Sequence, residues 1–129
     1  VLVSNDILNC KLIDFNTARC LTGEPPLSPT GTQKYMPPEA FWGEPPSEAS
    51  DVWAAGICLH LMISGKVPVW QKRCKPGISY EVPFDEFVCS VACRAVLQQA
   101  LAERSIRPPS KTLLEDPWTN DGESHEAHL

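Results

Sequence analysis

The chain has 129 residues, 43% of them hydrophobic, and 16 acidic against 11 basic side chains give a net charge of −5. That length supports one domain with its own core, and the apolar content argues against wholesale disorder. The acidic balance leaves no footprint for nucleic acid or an anionic membrane, and no apolar run is long enough to span a bilayer.

Thirteen prolines, clustered at 25–26, 37–38, 45–46 and 108–109, predict many chain reversals rather than long unbroken helices. Six cysteines are present. With no leader of charged and then apolar residues at the start, they read as reduced intracellular thiols rather than a disulfide framework. Cys58, Cys89 and Cys93 fall inside helical apolar patterns, where a free thiol packs as a small hydrophobe. No C-x-x-C pair argues for a metal. Val1 opens in mid-strand and is not a methionine, so the sequence reads as a fragment or a processed chain.

Val1 to Ser4 is a β-type run, Asn5-Asp6 supplies turn chemistry, and Lys11-Leu12-Ile13 is a second strand, which makes residues 1–13 a hairpin. That strand delivers Asp14, followed by Phe15, an aromatic of the kind usually buried. A carboxylate at the end of a buried strand is suited to a hard cation such as Mg²⁺. Asn16 comes next, the residue most tolerant of positive φ after Gly. Residues 17–30 are polar, rich in Pro, Ser and Thr, and without periodicity. Their position must be set by what they dock against or by added charge. Thr22, Ser28 and Thr30 read either as phosphorylation sites or as hydroxyls of a solvated loop.

Gly31-Thr32-Gln33-Lys34-Tyr35-Met36-Pro37-Pro38-Glu39 follows, and Glu39 after two prolines suits the first turn of a helix. The longest apolar stretch runs from Val52 to about Met62 and fills nearly every position, which predicts a helix apolar on more than one side at the centre of the domain. Ser47 and Ser50 are candidate caps, Asp51 favours the helix dipole, and Gly65 is the stop. His60 reads as a core or surface histidine rather than a ligand. Residues 66–85 form a Pro- and Gly-punctuated connector, in which Lys72, Arg73 and Lys75 read as solvated surface.

Ser90 to Ala102 places apolar residues at 91, 93, 96, 97, 100 and 101, the spacing of an amphipathic helix. Ser110 to Trp118 reads as a last short helix capped by Ser110. The residues from 119 onward form a polar, disordered tail, where His125 and His128 are poor metal candidates.

Four stretches taken together, K-L-I-D-F-N, G-T-Q-K-Y-M-P-P-E, S-D-V-W-A-A-G and R-P with L-L-E-D-P-W, resemble in order the C-terminal lobe of a eukaryotic protein kinase of the serine/threonine type. The resemblance covers residues 1 to about 118. It implies a mainly α fold with a short N-terminal β-hairpin, the C-terminal lobe of an α+β parent. Within 1–118 it assigns a hairpin at 1–13, an activation segment at 14–39 and a helical subdomain at 40–118, with 119–129 as a tail. Two positions depart from the family pattern, with Asn16 standing for a Gly and Pro37 for an Ala.

By that resemblance the catalytic loop lies just upstream of Val1, and the parent protein transfers the ATP γ-phosphoryl group to protein Ser or Thr. Asp14 would hold Mg²⁺ and thereby ATP. Thr32 would reach the catalytic loop, and Gly31, Thr32, Tyr35, Met36 and Pro37 would shape the substrate peptide loop. Glu39 and Arg107 would form a buried ion pair, and Asp51 would be a buried anchor for the catalytic loop. A protein substrate and an upstream activating kinase acting on Ser28 or Thr30 are the implied partners, with no nucleic acid and no membrane, in the cytoplasm or nucleus. The rival reading is a pseudokinase or docking module without catalysis, to which Asn16 and Pro37 point. Alone, the segment would neither bind ATP tightly nor phosphorylate.

Overall fold

The computed structural model describes residues 2–4, 9–23, 31–67, 77 and 80–120. An antiparallel hairpin opens the chain. Strand β1 (Leu2–Val3) pairs with β2 (Cys10–Lys11) in the register Leu2 to Lys11 and Val3 to Cys10. Among the described residues four α-helices follow: α1 (Glu48–Ser64), α2 (Val91–Ala100), α3 (Ser110–Leu114) and α4 (Pro117–Asn120). Short 3₁₀ helices cover Gln33–Tyr35, Pro38–Trp42 and Phe84–Glu86. The mostly helical chain with one small hairpin is the expected fold class.

The hairpin is shorter than its sequence predicts. Pairing stops at Lys11, and Leu12 (71% exposed), Ile13 and Phe15 are open to solvent rather than buried. A two-stranded ribbon has no second layer to cover its apolar side chains, so Asp14 does not stand at the end of a buried strand. Residues 24–30, which include Ser28 and Thr30, lie outside the described residues, as do Lys72, Arg73, Lys75, His125 and His128.

Helix α1 starts and stops where the sequence signals place it. The Ser47 N–H donates to Ser50 Oγ at 3.0 Å, one arm of a capping box. At the other end Gly65 adopts φ 69° and donates its N–H to the Leu61 carbonyl, a left-handed cap that a side chain would strain. The burial differs from expectation. Val52, Trp53, Gly56, Ile57 and His60 form one buried stripe, whereas Cys58 and Met62 on other faces are exposed. Helix α1 is therefore covered along a single face, despite being apolar nearly all round.

The stripe meets α2, whose Cys93, Val96, Leu97 and Ala100 are buried at the predicted helical spacing, although Val91 is exposed. Trp53, Ile57, Val82, Leu97 and Leu101 make the core, and Tyr35, Leu59, Val67, Tyr80, Phe84 and Phe87 pack around it. Full burial of side chains such as Ile57 and Leu97 contributes roughly 1.5–3 kcal/mol each. The Gln98 amide ties the connector to α2, donating to the Tyr80 carbonyl (2.7 Å) and accepting from the Val82 N–H (3.3 Å).

His60 is a core residue held by polar contacts. Its Nδ1 lies 3.0 Å from both the Lys66 carbonyl and Ser64 Oγ. Because the Ser64 hydroxyl donates to the His60 carbonyl at 2.8 Å, the consistent tautomer carries the proton on Nδ1 and donates it to Lys66. The single predicted helix at 110–118 is instead two. Asp116-Pro117 interrupts it, since Pro117 has no N–H to continue the ladder, and Ser110 is the first residue of α3 rather than its cap.

Gly56 sets how closely α1 and α2 approach. A Cβ built there would stand 2.9 Å from Ala100 Cβ and 2.9 Å from Leu101 Cδ2. An exposed helical Gly→Ala change gains up to about 1 kcal/mol, so the sign here tests the packing. Gly56→Ala should lower the unfolding free energy by about 1–3 kcal/mol, read from the urea midpoint. A midpoint that holds or rises would show that the helices can move apart freely.

Candidate functional site

The Gly31–Glu39 stretch folds into a shaped ledge. Gly31 has φ 119°, backbone that a side chain rarely adopts. Thr32 opens the first 3₁₀ turn, its carbonyl accepting from the Tyr35 N–H at 3.0 Å, and the Met36 N–H closes on the Gln33 carbonyl at 3.2 Å. Pro37 then sets an extended entry, and Pro38 takes the first position of the next 3₁₀ helix, where its missing N–H costs nothing. Gly43, at φ 83°, ends that helix.

Between the two 3₁₀ segments lies a hollow of about 330 Å³, lined by Gly31, Gln33, Met36, Ala40 and Phe41. Three apolar side chains and one amide make a surface suited to a small apolar group with a backbone beside it. Phe41 and Ala40 were not foreseen from sequence. The short helix started by Pro38 brings them back over Met36, and no periodicity marks so brief an element.

The ledge is held from below by an ion pair. Arg107 Nη1 donates to Glu39 Oε1 at 2.8 Å and Nη2 to Oε2 at 3.1 Å. Nη1 also donates to the Ala49 carbonyl (2.7 Å), and Nε donates to the Ala102 carbonyl (3.0 Å). The guanidinium carbon stands 4.9 Å from the centre of the Trp53 ring, a cation–π geometry. Glu39 is 8% exposed and Arg107 is 6%. One side chain therefore joins the ledge, the start of α1, the end of α2 and the core. The turn that presents Arg107 is fixed by its N–H to the Glu103 carbonyl and by the Ser105 N–H to Glu103 Oε2. Beside it Arg104 bonds Glu44 at 2.6 Å, an exposed pair worth at most about 1 kcal/mol.

Asp14 and Asp51 belong to neither cluster. Asp51 lies in the first turn of α1 and is exposed, not buried as the resemblance implied; the covered face of α1 is the stripe of Val52, Trp53, Gly56, Ile57 and His60. Asp14 is exposed and adopts φ 64°, the only non-glycine residue with positive φ among the described residues. Asp is one of the few residues that accept this backbone. Among the described residues no group of three His, Cys, Asp or Glu side chains is placed to hold a metal. Asp14 thus offers a single hard oxygen ligand. Further along, the Thr22 hydroxyl lies 3.0 Å from the exposed Cys20 sulfur, and hydrogen bonding with Thr22 holds that thiol below its usual pKa.

The family model for the protein kinase domain matches residues 1–121. The chain is 31% identical over 103 residues to a "Probable serine/threonine-protein kinase CHK1 homolog" of Encephalitozoon cuniculi, covering 70% of this chain and 24% of that protein. It is 31% identical over 125 residues to mouse "Sperm motility kinase Z", covering 89% and 24%. To the Caenorhabditis elegans "Mitogen-activated protein kinase kinase kinase nsy-1" it is 29% identical over 133 residues, covering 92% and 9%. The chain belongs to the protein kinase family, and it spans about a quarter of the length of the first two of these relatives.

Arg107→Lys keeps the charge and loses the fork that spans both Glu39 oxygens and two carbonyls. It should cost roughly 3–5 kcal/mol of unfolding free energy, the range for breaking a buried pair, and Glu39→Gln should cost a similar amount. Chemical denaturation of both variants checks this, and losses under 1 kcal/mol would remove the pair from its central place.

Proposed function

We propose that this segment is the substrate-holding part of a serine/threonine protein kinase, which moves the γ-phosphoryl group of ATP onto a protein hydroxyl. The ledge carries the reading: a peptide chain laid along residues 31–37 would set the side chain next to its phosphoacceptor into the apolar hollow by Met36, Ala40 and Phe41. Such transfer depends on positioning more than on covalent help from the protein, and a ledge clamped by a buried ion pair is suited to that task. The relative named above as a probable serine/threonine-protein kinase supports the specificity.

Mg²⁺ binds proteins through one or two carboxylates and otherwise keeps phosphate oxygens and waters. Asp14, exposed and alone, fits that demand, and its left-handed backbone is the sort of local strain that clusters at functional sites. When bound, the ion would neutralise phosphate charge. The work of this chain is to hold one carboxylate at the hairpin exit and the peptide on the ledge, with Thr32 at the ledge's opening turn. The upstream kinase that would modify Ser28 or Thr30 belongs to the same proposal.

Asn16 favours a second reading, a catalytically silent kinase module that docks proteins, because Gly is the residue the family uses there. Thermal unfolding of the full-length protein that carries this segment separates the two. Mg²⁺ with ATP should stabilise it, by about 2.7 kcal/mol at a hundredfold excess over Kd, and Asp14→Ala should abolish the shift and peptide phosphorylation together. Equal phosphorylation by the variant would overturn the role of Asp14. No shift and no transfer in either protein would favour the docking module.

A further inference from the structure

The start of α2 carries the two most exposed large apolar side chains among the described residues. Val91 is 84% exposed, and Val88, just ahead of the capping Ser90, is 94% exposed. One exposed valine is ordinary. What sets this pair apart is the strip of chain beside it. Residues 80–87 run along α2, tied by the Gln98 amide to Tyr80 and Val82 and by Phe84, whose ring lies 5.3 Å from the Arg94 guanidinium. Helical spacing puts Val91 and Ala95 on the row next to Arg94 and Gln98. The exposed Val91 and Ala95 therefore border that strip, and the strip exposes Glu81, Asp85 and Glu86.

These three carboxylates make no ion pair among the described residues. Arg94, the one basic residue of α2, is committed elsewhere. Its Nε donates to the Cys89 carbonyl at 3.4 Å and its guanidinium covers the Phe84 ring. An apolar line of Val88, Val91 and Ala95 thus runs beside an acidic line that nothing described here neutralises. The side chains on the open side of the helix itself, Ala92 and Ala95, are small, which lets a second helix lie close to this one.

We infer that this face docks an amphipathic helix of a partner protein whose apolar stripe is edged by lysine or arginine. Charge complementarity selects that chemistry. An acidic partner helix would meet like charge, and a wholly apolar one would cover the valines but strip water from the carboxylates without pairing them. A basic segment without apolar side chains would leave the valines wet. A helix with both kinds of side chain satisfies both lines at once, because lysine and arginine lay their stems along apolar surface and carry the charge outward.

The test is fluorescence anisotropy with the full-length protein and a labelled amphipathic helix built of leucine and lysine. Two double variants, Val88→Ser with Val91→Ser and Asp85→Asn with Glu86→Gln, change only exposed side chains and should keep the urea midpoint. Each should weaken peptide binding about tenfold, the loss of one hot-spot contact. Added salt should weaken binding to the native protein more than binding to the charge variant. Equal affinity for both double variants and the native protein would overturn the inference. So would equal binding of the same helix with glutamate in place of lysine or alanine in place of leucine, or no binding at all. Self-association of the protein that the valine variant abolishes would put a second copy on this face and overturn the basic partner.

Discussion

A single guanidinium organises this molecule. Arg107 is buried, and a buried cation is tolerable only when its hydrogens are matched. The Glu39 carboxylate and the carbonyls of Ala49 and Ala102 take four of its hydrogen bonds, and the Trp53 ring covers it. These partners come from four places in the chain. None can shift without leaving a buried charge incompletely paired, so the requirement to satisfy Arg107 aligns the Pro38–Trp42 helix, the start of α1 and the end of α2. Removing either charge leaves the other stranded, which is why such a pair acts more as a constraint on geometry than as a source of net stability.

The core and the ledge follow from this constraint in sequence. Gly56 lets α1 and α2 come close enough for Ala100 and Leu101 to touch the α1 backbone, and that approach places the Ala102 carbonyl within reach of Arg107. Tyr35 packs on the same core, so the ledge is fixed at one end by an aromatic ring and at the other by Glu39. Between these supports Gly31, Met36 and Phe41 frame the hollow. A ledge placed on such a support is more rigid than an ordinary surface loop, and the proposed phosphoryl transfer would draw on that rigidity to position its acceptor. The hairpin is different, because its apolar side chains are exposed and nothing among the described residues braces Asp14.

Much of this was legible in the amino acids, for reasons that differ from place to place. The ends of α1 were readable because Ser50 and Gly65 act locally. Helix α2 was readable because its apolar residues alternate with polar ones at helical spacing, so its buried face declares itself. The face of α1 was not readable, since nearly every position is apolar and only the approach of α2 at Gly56 selects which side is covered. The strand at Lys11–Ile13 was overextended because β propensity reports fit to a packed surface, and here the hairpin has none. Asp116-Pro117 split a helix that the apolar pattern joined. Glu39 and Arg107 are 68 residues apart, and no spacing rule links them. Their pairing came into view through the resemblance to kinases. Phe41 was missed because a five-residue 3₁₀ helix carries no periodic signal.

The most direct test of this account is hydrogen exchange at the amides of residues 33–44, compared between the native protein and Arg107→Lys under conditions where both stay folded. If Arg107 holds the ledge, exchange at the Tyr35, Met36, Ala40, Gly43 and Glu44 amides should quicken several-fold in the variant, while the amides in the middle of α1 and α2 keep their protection. Unchanged exchange across the ledge, or an equal loss of protection everywhere, would contradict the claim that this one guanidinium sets the position of the ledge.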